Sequence, residues 1–440
     1  MKKTSFQLSP GADMEPIRRD YISLAHTAVK NGLLTDERPL VGFVDINGVK
    51  QTVAALKEAF PDHFEHYFAV KANGMSAVLK LLRYQGMLAE AASPGELQQA
   101  ISAGYCGREI VFDEPVKTRS IIRKVLSLGA TLHVDNFDEL DRIKKLLPEC
   151  PNHGEIGYRI NPQVGSGSIK AMSTAGLHSK FGVALEDEGN RERILQDYAN
   201  HSWLNTVHTH VGSQGISFEL AAAGIAKVVA LAQEINQRAG EQRIVSIDIG
   251  GGLGVNFLSD EVTPTFVEYA DFLNHKIPQL FSGEFRVKTE FGRAIMAKNG
   301  CILARVECTK TSGGRHIANT HAGAQVATRT VFMPEAWPLR LSAFDPNGDH
   351  KTGNHVEQDI AGPCCFAGDV VAHQRHMPKL DSGDLLMLHD TGAYYFSNPF
   401  FYNSLPAPAV YGYDIQDNGE IELESYRHQQ TIEDVMKLIG

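Results

Sequence analysis

Tryptophan and cysteine are scarce in this chain, which has two of the former and six of the latter in 440 residues. The cysteines, at positions 106, 150, 301, 308, 364 and 365, show neither secretory spacing nor a Cys-x-x-Cys pair. That pattern excludes a disulfide scaffold and a zinc ribbon, and fits the reduced thiols of a cytoplasmic protein. No apolar run approaches the roughly 20 residues of a bilayer-spanning helix. Met1-Lys2-Lys3-Thr4 leads into no apolar stretch before Ser9-Pro10-Gly11, so neither membrane insertion nor export is expected. Positive charge is in deficit, with a net charge of −10 and no basic cluster interleaved with aromatics, which argues against nucleic acid as a partner. Small-molecule ligands are expected instead.

Hydrophobic residues make up 43% and charged residues 21%, as in a soluble protein of two or three domains. The stretch Tyr67-Phe68-Ala69-Val70-Lys71-Ala72-Asn73 organises the rest. An apolar run ends on a single lysine, which reads as a strand delivering one buried amine to its C-terminal mouth. Burial disfavours the charged form of an amine and makes it a nucleophile toward a carbonyl. Taken alone, a lysine at a strand end is ordinarily a solvated loop residue.

A rhythm of strands follows: Tyr67 to Lys71, Leu88 to Ala92, Ile110 to Asp113, Thr131 to Val134, Ile156 to Ile160, Thr206 to His210, Ser246 to Ile249 and Arg286 to Glu290. Amphipathic stretches intervene, opened by signals such as Ser93-Pro94-Gly95-Glu96 and Asp135-Asn136. Eight strand-helix units predict an α/β fold with a (β/α)8 barrel. A doubly wound sheet would place its glycine-rich turn after the first strand, and here it follows the seventh. After residue 296 the segments Cys301 to Cys308, His316 to Asn319, Asp369 to Val371 and Leu385 to His389 predict a second, mainly β domain, a β-sandwich or barrel. The expected division is residues 1–45 contributing to the β domain, a ligand-binding barrel over 46–295, and the β domain proper over 296–440. Residues 326–353 read as irregular, with room for a substrate loop.

Barrel enzymes bind ligands at strand C-termini. These ends carry Lys71, Arg159 with Asn161, His210 to Ser213, Gly250-Gly251-Gly252, and Glu290-Phe291-Gly292-Arg293. Successive glycines let backbone N–H groups approach a phosphate, and Ser213 adds a donor. Glu290 suits a cationic ring nitrogen and His210 a ring face. The plain alternatives are a flexible turn, a Glu290–Arg293 ion pair and a core histidine. His208-Thr209-His210 also admits a shared zinc, but a metallohydrolase would need additional His or Asp ligands where the other strand ends offer Lys, glycine backbone and Glu, and no metal is expected.

In combination these motifs resemble the fold-type III pyridoxal-phosphate decarboxylases, which include the diaminopimelate and ornithine decarboxylases. Gly362-Pro363-Cys364-Cys365-Phe366-Ala367-Gly368-Asp369 and Asp390-Thr391-Gly392-Ala393-Tyr394 complete the set, in family order. The resemblance implies an architecture like that of alanine racemase and pyridoxal 5'-phosphate as cofactor, held covalently by Lys71. His210 would stack on the ring and Glu290 pair with its nitrogen. Ser213, Gly250, Gly251, Gly252, Gly292, Arg293 and Tyr394 would surround the phosphate and adjoining substrate. It further implies a homodimer with shared active sites, in which Cys365, as proton donor, and Asp369 come from the second subunit.

The diaminopimelate branch matches best, with Arg329 as a substrate-binding arginine and Met172 to Gly182 as a specificity loop. Three positions depart from the family: Phe291 replaces a proline, Met333 a tyrosine, and Phe366 the acid that holds the distal amine of a basic substrate. A phenyl ring leaves an ammonium desolvated. The expected substrate therefore has an acidic or acylated far end, as in siderophore or natural-product biosynthesis. The alternatives are diaminopimelate itself, an amino-acid racemase, or a non-catalytic cofactor-binding regulator.

Overall fold

The computed structural model describes residues 19–440, and the Met1 to Gly11 segment lies outside them. The described chain forms two compact units, one of residues 50–255 with 262–295, the other of residues 19–49, 256–261 and 296–440. Residues 46–49 and 256–261, expected in the barrel, belong to the second unit.

The first unit is the barrel. Its strands are β1 (Phe64–Ala69), β2 (Leu88–Ala91), β3 (Ile110–Phe112), β4 (Thr131–Val134), β5 (Ile156–Asn161), β6 (Leu204–His208), β7 (Ser246–Asp248) and β8 (Arg286–Phe291). All neighbours pair in parallel in the order β4-β3-β2-β1-β8-β7-β6-β5, and a β4–β5 pairing closes the ring. The connecting helices start where capping side chains satisfy their first N–H groups. Ser93 accepts from Glu96, Asn136 from Glu139, and Thr265 forms a capping box with Glu268. Each such cap contributes about 1 kcal/mol.

The barrel interior is polar as well as apolar. Lys288, near the start of β8, is buried and donates to Glu155 at 2.7 Å and to Thr131 at 2.9 Å. Phe291, in place of the family's proline, fills an aromatic cluster with Phe60, Phe266 and Tyr269.

The second unit is mainly β. Its nine-stranded sheet runs Val370–Pro378, His355–Ala361, Arg315–Thr320, Gly300–Ser312, Leu40–Asp45, Ala409–Ile415, Ile421–Arg427, with Leu385–Leu388 and Leu341–Phe344 branching from the long Gly300–Ser312 strand. Helix Arg19–Lys30 packs Tyr21, Leu24, Ala25 and Ala28 into the core with Phe43, Leu303, Phe344 and Met387. The region 326–353 is less irregular than its sequence suggests, because helix Ala324–Phe332 and strand Leu341–Phe344 occupy much of it.

Candidate active site

The C-terminal mouth of the barrel gathers most of the expected residues, with three shifts of position. β1 ends at Ala69, and Lys71 sits in a single helical turn, Val70–Ala72. Its side chain is 41% exposed, so the amine is not isolated in an apolar pocket; it donates to the buried carboxylate of Glu90 at 2.5 Å. Burial pushes Glu90 well above the usual carboxylate range, and the Lys71 charge pulls it back. His210 lies two residues past the end of β6, in the loop rather than the strand. Arg159 lies inside β5, and its guanidinium donates to buried Asp113 at 2.7 Å. Burial favours the neutral acid in Asp113, but Arg159 and Lys71 outweigh it and hold the group well below the usual range.

Behind β7 the three glycines form a loop that only glycine can make. Gly250 has φ of +69°, and a Cβ there would stand 2.4 Å from His210 Nδ1. A Cβ on Gly251 would meet the Glu290 carbonyl oxygen at 2.1 Å. The close fit leaves the Gly251 N–H free to donate to His210 Nδ1 at 3.1 Å, which fixes the proton of the neutral imidazole on Nε2. Burial and then Arg159 and Lys71 keep His210 well below the usual imidazole value, so it stays neutral. Gln214 braces the loop from outside, donating to the Val255 carbonyl at 2.7 Å and accepting its N–H at 2.8 Å. Gly251→Ala is therefore expected to cost on the order of 2 kcal/mol, read as a lower melting temperature, with weaker cofactor retention; an unchanged melting curve would contradict this packing.

Glu290 is buried on β8, and Arg293 is buried at the start of the short helix Arg293–Met296. Gly292 packs against the Ala69 and Ala72 side chains, where a Cβ would lie 3.0 and 2.9 Å away. The Met172 to Gly182 segment lies over this mouth. Thr174 hydroxyl donates to the His210 carbonyl, Ser213 N–H donates to the Met172 carbonyl at 2.9 Å, and Phe181 covers the Arg159 guanidinium at 4.5 Å. His208 and His210 do not share a ligand position: His208 stacks on His133 while His210 Nδ1 accepts from Gly251.

The β unit carries the second group. Cys364 is buried, its thiol 3.7 Å from Gln325 Oε1, and burial followed by Asp369 pushes it up to about 11. Cys365 is exposed, and its backbone N–H donates to Asn403 Oδ1 at 2.7 Å. Asp369, expected to meet the substrate, is instead a buried staple. Its two oxygens accept the N–H groups of Ala324 and Cys364, each at 2.6 Å, so it shapes the cysteine turn. Arg329 projects from helix Ala324–Phe332, its guanidinium over the Tyr394 ring at 4.2 Å and the Trp337 ring at 5.1 Å. Tyr394 has a positive φ of 67°. Phe366 stacks on Phe332 with centroids 5.6 Å apart and meets the Tyr402 ring at 5.1 Å, while Met333 stays 42% exposed.

Glu90, Asp113, His133 and His208 were given no role by the motifs. Their signal was a charged or imidazole residue at the end of an otherwise apolar strand, as in Leu88-Ala89-Glu90-Ala91. The donor set fits pyridoxal phosphate: a close-approach glycine loop, a neutral histidine of fixed tautomer, a buried carboxylate with an oxygen that no protein donor reaches, and a lysine at the mouth.

Residues 46–297 match the family described as pyridoxal-dependent decarboxylase, pyridoxal binding domain. The chain is 29% identical to the diaminopimelate decarboxylase of Escherichia coli K12 over 414 residues, covering 90% of this chain and 92% of that one. It is 31% identical to the Pseudomonas fluorescens enzyme of the same name over 339 residues, 77% and 78% of the two chains. Among solved structures, diaminopimelate decarboxylase from Helicobacter pylori complexed with L-lysine superposes with a TM-score of 0.80 at 25% identity, over 93% of this chain and 99% of that one. The family's chemistry displaces the racemase and regulator readings. With the barrel, the lysine at its mouth and the glycine loop in place, the chain belongs to the pyridoxal-dependent decarboxylases.

Proposed function

We propose that this enzyme removes the α-carboxylate of a diaminopimelate-type amino acid, one whose far end carries its own carboxylate. The observation that carries the reading is the likeness, along most of both chains, to proteins named diaminopimelate decarboxylase.

When bound, pyridoxal phosphate supplies an electron sink for the pair left by departing carbon dioxide. The chain's own groups do the rest. Lys71 is the covalent anchor, and Glu90 holds its amine at the mouth and can take up its proton. The Gly252 N–H and the Ser213 hydroxyl offer donors to the phosphate, while the Gly250 and Gly251 N–H groups, engaged by Asp248 and His210, hold the loop in shape for its close approach, and Arg293, just after Glu290 in sequence, adds a cation. His210 offers a neutral ring face, and Glu290 a carboxylate for the ring nitrogen. Cys365, exposed where Cys364 is buried, is the general acid that returns a proton to Cα. It acts from a second copy of the chain, so that a homodimer forms two shared sites. Arg329, its guanidinium carried over the Tyr394 and Trp337 rings, takes the distal carboxylate through paired hydrogen bonds.

The Phe366–Phe332–Tyr402 cluster favours a second reading, in which the distal amine is acylated or absent, as in natural-product or siderophore intermediates. The test is carbon dioxide release from meso-diaminopimelate beside its N-acylated analogue. Faster release from the free diamine supports the first reading, and faster release from the acylated compound the second. Phe366→Glu is expected to raise kcat/KM for meso-diaminopimelate roughly tenfold by supplying a charged hydrogen bond to the ammonium. A fall with the free diamine would contradict placement of residue 366 at the distal amine.

A further inference from the structure

Behind Glu290 lies a polar layer to which the motifs assign no work. Asp248, the last residue of β7, lies within side-chain hydrogen-bonding reach of Glu290 on neighbouring β8, and both are buried. Two carboxyl groups in such contact cannot both ionise, so one proton is held between them.

Asp248 Oδ1 accepts the Gly250 N–H at 2.9 Å, and neither Asp248 Oδ2 nor Glu290 Oε1 is reached by a protein donor. On the other side, Glu290 Oε2 lies 3.6 Å from His208 Nε2, and Asp248 Oδ2 lies 3.8 Å from His133 Nε2. The two imidazoles are buried and stacked, with centroids 4.3 Å apart and planes 14° apart. A metal ion must lie in the plane of each imidazole that binds it, and near-parallel stacked rings share no such point, so this layer is not read as a metal centre. Burial holds both histidines below their usual values, and they stay neutral.

The charges around the pair are unequal. Burial raises both acids, Asp248 to about 8 and Glu290 to about 7, and each is raised further by a neighbouring acid, Glu290 in the first case and Asp113 in the second. The cations Lys71, after β1, and Arg159, on β5, favour ionisation of Glu290. With His208 neutral, Asp248 is favoured toward ionisation by the Gly250 N–H and Lys288. Glu90 on β2 completes the set of acids facing the layer.

We propose that Asp248 is a positioning residue that keeps the shared proton, so that its carboxylic acid donates to Glu290 and leaves Glu290 ionised toward the cofactor's ring nitrogen. The inference rests on the cofactor role given to Glu290 above. An asparagine at 248 reproduces a protonated aspartate, with its oxygen toward Gly250 and its NH2 toward Glu290. A glutamine at 290 cannot reproduce an ionised glutamate.

The test is an equilibrium titration of the full-length apoprotein with pyridoxal phosphate, followed by the visible absorbance of the lysine-bound cofactor. The expected result is a dissociation constant within about threefold of wild type for Asp248→Asn and at least about tenfold weaker for Glu290→Gln. Equal losses in the two variants would overturn the inference, and no lysine-bound absorbance in wild type would overturn the cofactor reading along with it.

Thermal denaturation of the apoproteins gives a readout that a merely structural aspartate would not move. An acid whose value rises on folding contributes stability that is complete below its unfolded value, about 4, and is lost as pH rises toward about 8. The decline should be shallower in Asp248→Asn than in wild type; parallel curves would overturn the proposal. Should that variant not fold, infrared spectra of the wild-type protein with isotope-labelled aspartate decide the question. A protonated aspartate band at neutral pH supports the proposal and its absence overturns it, since among the described residues the other carboxyl groups shown raised, Glu90, Glu114, Glu139 and Glu290, are glutamates.

Discussion

Lys71→Ala abolishes the visible absorbance of the cofactor-loaded protein and lowers decarboxylation by at least about a thousandfold. The expectation follows from position. Lys117 and Lys288, the lysines buried in the barrel unit, are committed to Glu139 and Glu155 at 2.8 and 2.7 Å. Lys71 alone follows the C-terminal end of β1, half-exposed, with its amine against Glu90. The structure changes why that amine is useful. It is held ready by a buried carboxylate rather than made reactive by its own burial. Retained absorbance in Lys71→Ala would remove the anchor from this account.

Cys365→Ala lowers turnover by about a hundredfold or more, the usual contribution of a positioned general acid, while Cys364→Ala acts through stability. The two thiols are adjacent in sequence but opposite in environment: Cys364 is buried on Gln325 and Asp369, Cys365 is exposed. Equal kinetic losses in the two variants would contradict the assignment. Because Cys365 is proposed to act in the partner's site, mixing inactive Lys71→Ala and Cys365→Ala chains should restore up to about a quarter of wild-type activity, since one of the two sites in each mixed dimer is intact. No recovery would contradict shared sites.

Much of the barrel was legible because its strands are short apolar runs closed by polar or glycine turns, and eight of them were found at their places. The ends were less so. Lys71 and His210 belong to turns, since a side chain that must reach a ligand is carried just past the last ladder hydrogen bond, and apolar periodicity does not mark that boundary. Asp369 looked like a site residue because it is an acid in a motif, whereas its oxygens are engaged by two backbone N–H groups. Residues 256–261 were assigned to the barrel because they lie between its strands in sequence. Glu90, Asp113 and the His133–His208 stack were missed because their partners come from strands distant in sequence, and only closure of the barrel brings them together.

The most direct test of the central claim is to load the purified protein with pyridoxal phosphate and measure carbon dioxide released from the α-carboxylate of meso-diaminopimelate beside its N-acylated analogue. The account predicts stoichiometric release from at least one of them, dependent on cofactor and lost in Lys71→Ala. Lysine-bound cofactor with carboxylate retained in both compounds would contradict decarboxylation of a diaminopimelate-type substrate.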